Sequence, residues 1–182
     1  MTLREYFCKM RGIATGSLPR VSNNEIFLSW LGAFLGISAV AWMEHLFFAP
    51  NDLMILIAPF GASAVLLYGA PRSPLAQPRN LVGGHVVSAI VGVLCWKLLQ
   101  DFPWLAAALA VSTAIALMHA TRTLHPPGGA TALFAVIGSD KVHKSGFWYV
   151  LTPSMAGSMI LLLVALLVNN LASGRRYPET WR

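Results

Sequence analysis

The stretch LHPPGGATALFAVIG, residues Leu124 to Gly138, puts a histidine and two prolines at the head of a run of small and apolar residues. Proline costs little in the first turn of a helix, because its missing N–H would be unpaired there anyway. The residue before a proline is pushed out of helical geometry. Pro126 and Pro127 therefore mark a place where a helix starts afresh, and Gly138 is a suitable stop. If that start lies at membrane depth, it exposes backbone N–H groups and the positive end of the helix dipole. The chemistry best served is the holding of a small anion without a fixed cation. Gly128 and Gly129 allow a solute to approach the backbone, and Thr131 adds a hydroxyl. His125 has two readings of equal weight. It could carry a proton, since imidazole titrates near neutral pH, or it could cap the half-helix and hold the proline turn.

A second stretch has the same design. PFGASAVLLYG, starting at Pro59, shares the pattern P-x-G-A-[ST]-A with PGGATALFAVIG, starting at Pro127, at an offset of 68 residues. Pro59, Gly61 and Ser63 stand where Pro127, Gly129 and Thr131 stand. The preceding segments match too: WLGAFLGIS from Trp30 against WLAAALAVS from Trp104, at an offset of 74. Two such helix starts facing each other would make a small, positively biased site beside a cavity. Their short G-A-[ST]-A faces would also serve as close-packing surfaces between helices.

The elements around these motifs read as membrane. Of the residues, 56% are hydrophobic and 11% charged, against about 25% charged in soluble domains. Six apolar stretches can be marked, at about 26–48, 53–70, 81–99, 104–121, 126–138 and 147–171. Four are long enough to span, which takes about 20 residues. The half-helices after Pro59 and Pro127 are roughly 16 Å long, about half a bilayer core. The predicted fold is an all-α polytopic bundle of two repeats, about 26–99 and 104–171. Each repeat is a span, a proline-broken segment and a span. Residues 1–25 and 172–182 form tails, and 26–171 a single transmembrane domain. The N-terminal tail has no apolar core of the signal-peptide kind and is expected to lie on lipid as a short amphipathic helix.

If the broken segments cross, the repeats are inverted, as in many transporters. If they dip in and return, the repeats are parallel. With six crossings, ten basic residues share one face and Lys97, Lys141 and Lys144 the other. That division favours six crossings with both termini cytoplasmic, in a cell inner (plasma) membrane. The net charge of +6 then addresses the membrane surface rather than nucleic acid.

Ionisable residues at membrane depth are candidates for function. Glu44, His119 and Arg122 are candidates for gating or proton relay, although Glu44 at the end of its span would also snorkel. His85, after two glycines, is read as structural, and His143 as a loop residue. Cys8 and Cys95 form no disulfide or metal pattern, and no metal or cofactor is expected.

HPPGGATAL resembles the signature of the HPP family of integral membrane proteins, over about Trp30 to Leu171. The resemblance implies a small permease, and His125, Pro126 and Pro127 as signature residues. Plastid and cyanobacterial relatives are associated with nitrite transport, which makes nitrite the best single expectation for the substrate. The family is usually described with four membrane helices, which fits re-entrant broken segments better than crossing ones. The leading expectation is therefore a permease or channel for a small inorganic anion. A membrane scaffold or sensor subunit comes second. An intramembrane enzyme comes third, since no catalytic constellation is visible. A second copy is expected to help enclose a path.

Overall fold

The computed structural model describes residues 3–10, 20–51 and 54–181. Parts of the expected N-terminal tail, and Leu53 at the head of the second apolar stretch, lie outside the described residues. The described chain is helical, and no strand occurs in it. Helix α1 covers Leu3–Lys9, and α2 covers Asn23–Met43 and continues through a wider turn at Glu44–Phe48. Helix α3 spans Pro59–Ala64, with a wide turn to Gly69. Then follow α4 (Pro78–Leu99), α5 (Pro103–Ala120), α6 (Pro126–Ile137), the short α7 (Asp140–Ser145) and α8 (Ala156–Asn169). Four segments are long and apolar enough to cross a membrane: Asn23–Asn51, Pro78–Leu99, Pro103–Ala120 and Val150–Asn169. Pro59–Gly69 and Pro126–Ile137 are the shorter apolar helices. The order long, short, long thus occurs twice along the chain.

Prolines begin these helices where the sequence places them. Pro59, Pro78, Pro103 and Pro126 each occupy the first turn. His125, just before Pro126, has extended backbone at φ −139° and ψ 107°. The second stretch starts differently: Ala58 before Pro59 is helical, at φ −53° and ψ −38°.

Two ends of the bundle can be told apart. At one end Arg175 pairs with Glu25, Arg79 donates to the Thr121 carbonyl, and Arg72 donates to the Gly174 carbonyl. At the other, Trp96 stacks on His143 at 3.8 Å, and Lys97 lies beside Gly146. The first is the arginine end and the second the lysine end. Successive segments alternate between them. Helix α6 follows α4 in the same direction: Gly84, Ser88 and Gly92 meet His125, Gly128 and Ala132 in turn. Helix α3 runs the opposite way, with Phe60 against Gly157 near the start of α8 and Leu67 bonded to Asn169 at its end. Neither short segment doubles back, so Glu25 at the start of α2 and Arg175 after α8 meet at the same end.

Small residues set these helix approaches. A Cβ on Gly84 would stand 2.5 Å from the His125 Cβ, and one on Gly92 2.6 Å from the Ala132 carbonyl. Spacing of four also marks the buried stripes of α2 (Leu28, Gly32, Gly36, Val40) and α5 (Ala106, Ala110, Ala114, Met118). In lipid no hydrophobic force draws helices together. Close backbone approach and interhelical hydrogen bonds hold them instead. One apolar cluster lies around Tyr68, Phe60 and Leu161, and another around Val91, Ala114 and Val136.

Residues beyond α8 pack onto the bundle rather than hanging as a tail. Arg175 is buried and bonds Glu25, Ser29, Asn169 and the Tyr68 carbonyl. Tyr177 donates to the Ala76 carbonyl, and Gln77 Oε1 accepts from the Glu179 and Thr180 amides.

Candidate functional site

Helices α3, α4 and α6 meet around a polar cluster. His85 sits two turns into α4, on the face that carries Leu81, Gly84, Ser88 and Gly92. Ser63 comes from α3, Thr131 from α6, and His125 stands just before α6. All four are fully buried. Ser63 Oγ lies 2.8 Å from His85 Nε2 and 3.0 Å from His125 Nε2. Thr131 Oγ1 is 2.7 Å from His85 Nδ1. His125 Nδ1 is 2.8 Å from the Leu75 carbonyl. The two imidazole centroids are 5.2 Å apart, and Phe60 packs edge-on to His85 at the same separation.

The Leu75 carbonyl fixes every hydrogen in this chain when both rings are neutral. A carbonyl only accepts, so His125 carries its hydrogen on Nδ1, and its Nε2 is an acceptor. Ser63 must then donate to His125. Its remaining lone pairs can only accept from His85 Nε2–H. His85 Nδ1 is left as an acceptor, so Thr131 donates to it. The shorter distance agrees: the Thr131 hydroxyl is 3.2 Å from the Pro127 carbonyl but 2.7 Å from His85. Every hydrogen bond points from Thr131 toward Leu75. The arrangement is a directional wire of four side chains with no unpaired member.

Ser63, His125 and Thr131 are thus brought together, and His85 joins them. His85, read from the sequence as structural, stands at the centre of the cluster. A signal existed: it is a histidine on a helix face that also carries Gly84, Ser88 and Gly92, the kind of small-residue face that a neighbouring helix covers. Pro59, Pro127 and Gly128 are buried beside the cluster, and Gly128 packs on Ser88 and on the Gly84 carbonyl. The two helix starts do not face each other across a polar cavity, because α3 and α6 run antiparallel. Gly61 has no atom within 4 Å of where a Cβ would stand, and Gly129 meets only a Val111 methyl at 3.9 Å. Gly129, Pro126 and His119 instead line an apolar groove of about 570 Å³ between α5 and α6.

Other sequence candidates lie apart from the cluster. Glu44 accepts from the Ile55 and Leu56 amides, at 2.6 and 3.2 Å, and so satisfies the extended backbone that leads into α3. His119 is exposed in the groove. Arg122 is exposed too, with φ at +57°, in the turn between α5 and α6. Among the described residues, no group of three or more His, Cys, Asp or Glu side chains could hold a metal ion.

Comparison with known proteins places this architecture. Two transmembrane proteins of Dictyostelium discoideum are similar to the chain. One is 46% identical over 180 residues, covering 97% of this chain and 57% of that protein. Another is 42% identical over 186 residues, covering 100% of this chain and 65% of its own length. The chain thus spans about three fifths of the curated relatives it matches. No solved structure matches it. The model of the HPP transmembrane region matches residues 18–178, and this multi-span membrane protein belongs to the HPP family.

Proposed function

We propose that the protein is a permease for a small inorganic anion. The observation that carries this reading is the His85–Ser63–His125–Thr131 cluster, fully buried between two proline-started half-helices and a full span. Polar side chains at membrane depth are costly, and those that persist mark substrate or proton pathways. Broken helices that meet near a polar centre are the pattern of secondary transporters. The polar centre is closed in this conformation, so passage requires the α3–α4–α6 contacts to part in turn toward each end. The arginine end is cytoplasmic by the charge distribution. Nitrite is the substrate we favour, on the family resemblance. The protein acts as a carrier, without covalent chemistry on its substrate.

Purified protein in liposomes tests this reading, with uptake of nitrite, nitrate, formate and chloride each measured against protein-free liposomes. Protein-dependent entry of nitrite is expected. Entry of none of the four anions would leave a scaffold or sensor role as the better account, and the fully paired cluster would then serve helix packing alone.

A further inference from the structure

We infer that His85, Ser63 and His125 form a one-way relay that moves one proton with each anion, and that the Leu75 carbonyl is its stop. The coupling to an anion rests on the permease reading; the relay itself rests on the hydrogen-bond geometry. Nothing in the family match or the relatives' descriptions assigns His85, Ser63 or Leu75 a role.

A donor on the Thr131 side, water or the protonated anion, gives a proton to Thr131 Oγ1. The Thr131 hydroxyl hydrogen passes to His85 Nδ1 as the His85 Nε2–H bond breaks. That hydrogen goes to Ser63 Oγ, and the hydrogen of Ser63 goes to His125 Nε2. Thr131 and Ser63 end neutral, and His85 ends neutral with its hydrogen on Nδ1. His125 ends as an imidazolium with a hydrogen on each nitrogen. One positive charge has moved from Thr131 to His125 by shifts within bonds of 2.7 to 3.0 Å.

His125 cannot pass the proton on while Nδ1 faces Leu75, because an amide carbonyl is a far weaker base than imidazole. Release needs the Pro71–Gln77 loop to lift and water to take the Nδ1 hydrogen; the two rings and two hydroxyls are then left reversed and must turn back before the next proton passes. That loop is held from the arginine end. Tyr177 bonds the Ala76 carbonyl, and Gln77 bonds the Pro71 and Ser73 carbonyls and the Glu179 amide. The segment after α8 therefore keeps the stop closed.

An imidazolium at this depth needs a counter-charge, since an unpaired buried ion costs several kcal/mol. None of the bonds described for the cluster goes to a carboxylate; Glu44 and Glu25 are committed to Ile55, Leu56 and Arg175. The groups that face the cluster from the packed elements are few. Phe60 and Ser63 come from α3, Thr131 from α6 and Met118 from α5. The Tyr149 phenol donates to the Thr131 carbonyl, and Arg79 is turned away to Thr121. The two imidazoles are therefore the proton-carrying groups, and the travelling anion supplies the missing negative charge.

Solid-state NMR on the full chain in liposomes, with ¹⁵N-labelled histidine, tests the relay. Opposite tautomers are expected at neutral pH: Nδ1–H on His125 and Nε2–H on His85. On acidification, His125 should gain its second hydrogen and His85 should switch to Nδ1–H in the same transition. In Ser63→Ala the two rings should titrate separately. Like tautomers, or a His85 that keeps its tautomer while His125 is protonated, would overturn the relay. A pH dye inside the same liposomes, with nitrite added outside and protein-free leakage subtracted, reads the coupling. Acidification matched to nitrite entry, and lost in Ser63→Ala, is expected. Nitrite entry without acidification overturns the coupling and leaves the permease reading intact. Entry of none of the four anions overturns the permease reading and the coupling together, while the tautomers still decide the relay.

Discussion

The two short helices α3 and α6 share the pattern P-x-G-A-[ST]-A, and their matched and unmatched positions do different work. The matched hydroxyls, Ser63 and Thr131, approach the same imidazole from opposite sides, one at Nε2 and one at Nδ1 of His85. The matched glycines, Gly61 and Gly129, both face away from any close neighbour. The unmatched positions break the symmetry. Where α6 has Gly128 packed on α4, α3 has Phe60 edge-on to His85 and against Gly157. Where α6 is preceded by His125, α3 is preceded, at the same offset, by buried Ile57. The pattern places the paired hydroxyls, and the departures from it put His125, bonded to the Leu75 carbonyl, on the α6 side alone.

The largest effect should come from filling the α4–α6 seam. A Cβ at Gly84 would meet the His125 Cβ at 2.5 Å and the Thr123 carbonyl at 2.9 Å, and one at Gly128 would meet the Gly84 carbonyl at 2.9 Å. Backbone cannot yield as a side chain can. Gly84→Val and Gly128→Val should each cost about 3 kcal/mol or more, through overpacking. Unfolding in detergent, followed by helicity, measures the loss. A Gly128→Val variant as stable as the parent would mean that α6 does not sit on α4 as described.

Next in size is the hydroxyl pair. Ser63→Ala strands His85 Nε2–H and His125 Nε2 together, and each unsatisfied buried group costs about 1–3 kcal/mol. Thr131→Val strands only His85 Nδ1. On the same scale, with one stranded group instead of two, it costs about half as much. Ser63→Ala should therefore destabilise more than Thr131→Val in the same unfolding assay. Equal losses would show that His125 takes no part in the wire. His125→Gln probes the same asymmetry: the amide can keep a donor toward Leu75 or Ser63 but does not titrate. Its stability loss should be about 1–2 kcal/mol, and any pH dependence of uptake should flatten.

The segments were legible because hydropathy and proline carry them. Six apolar stretches, helix starts at Pro59 and Pro126, and the stop near Gly138 all follow from local chemistry. Ser63 and Thr131 were legible as a pair because the repeated pattern put hydroxyls at the same offset. His85 was not read as part of the site, because its partners lie 22 and 46 residues away and only the crossing of α3 and α6 over α4 joins them. Leu75 was invisible for a stronger reason: its contribution is a backbone carbonyl, which no side-chain pattern announces. The order after α8 was missed too. A run of arginine, tyrosine and proline reads as a tail until Glu25, 150 residues away, is seen to pair with Arg175.

The smallest effects are expected at the matched glycines, and they separate packing from binding most cleanly. An added methyl at Gly61 meets nothing within 4 Å, and at Gly129 only Val111 at 3.9 Å. Alanine also loses less backbone entropy than glycine in a helix, by roughly 0.5–1 kcal/mol. Gly61→Ala and Gly129→Ala should therefore leave stability unchanged or raise it by up to about 1 kcal/mol. A clear destabilisation at either site would mean that something covers that face, and a second copy is the natural cover for a surface open to lipid. Bulk then asks a different question of the same positions. Gly129→Val should fit the groove side of α6 but narrow the approach to the helix start. If anion uptake falls while folding is kept, the half-helix N-terminus takes part in the path. If uptake is unchanged, the path runs through the histidine side of α6, and the exposed N–H groups at its start serve only the turn.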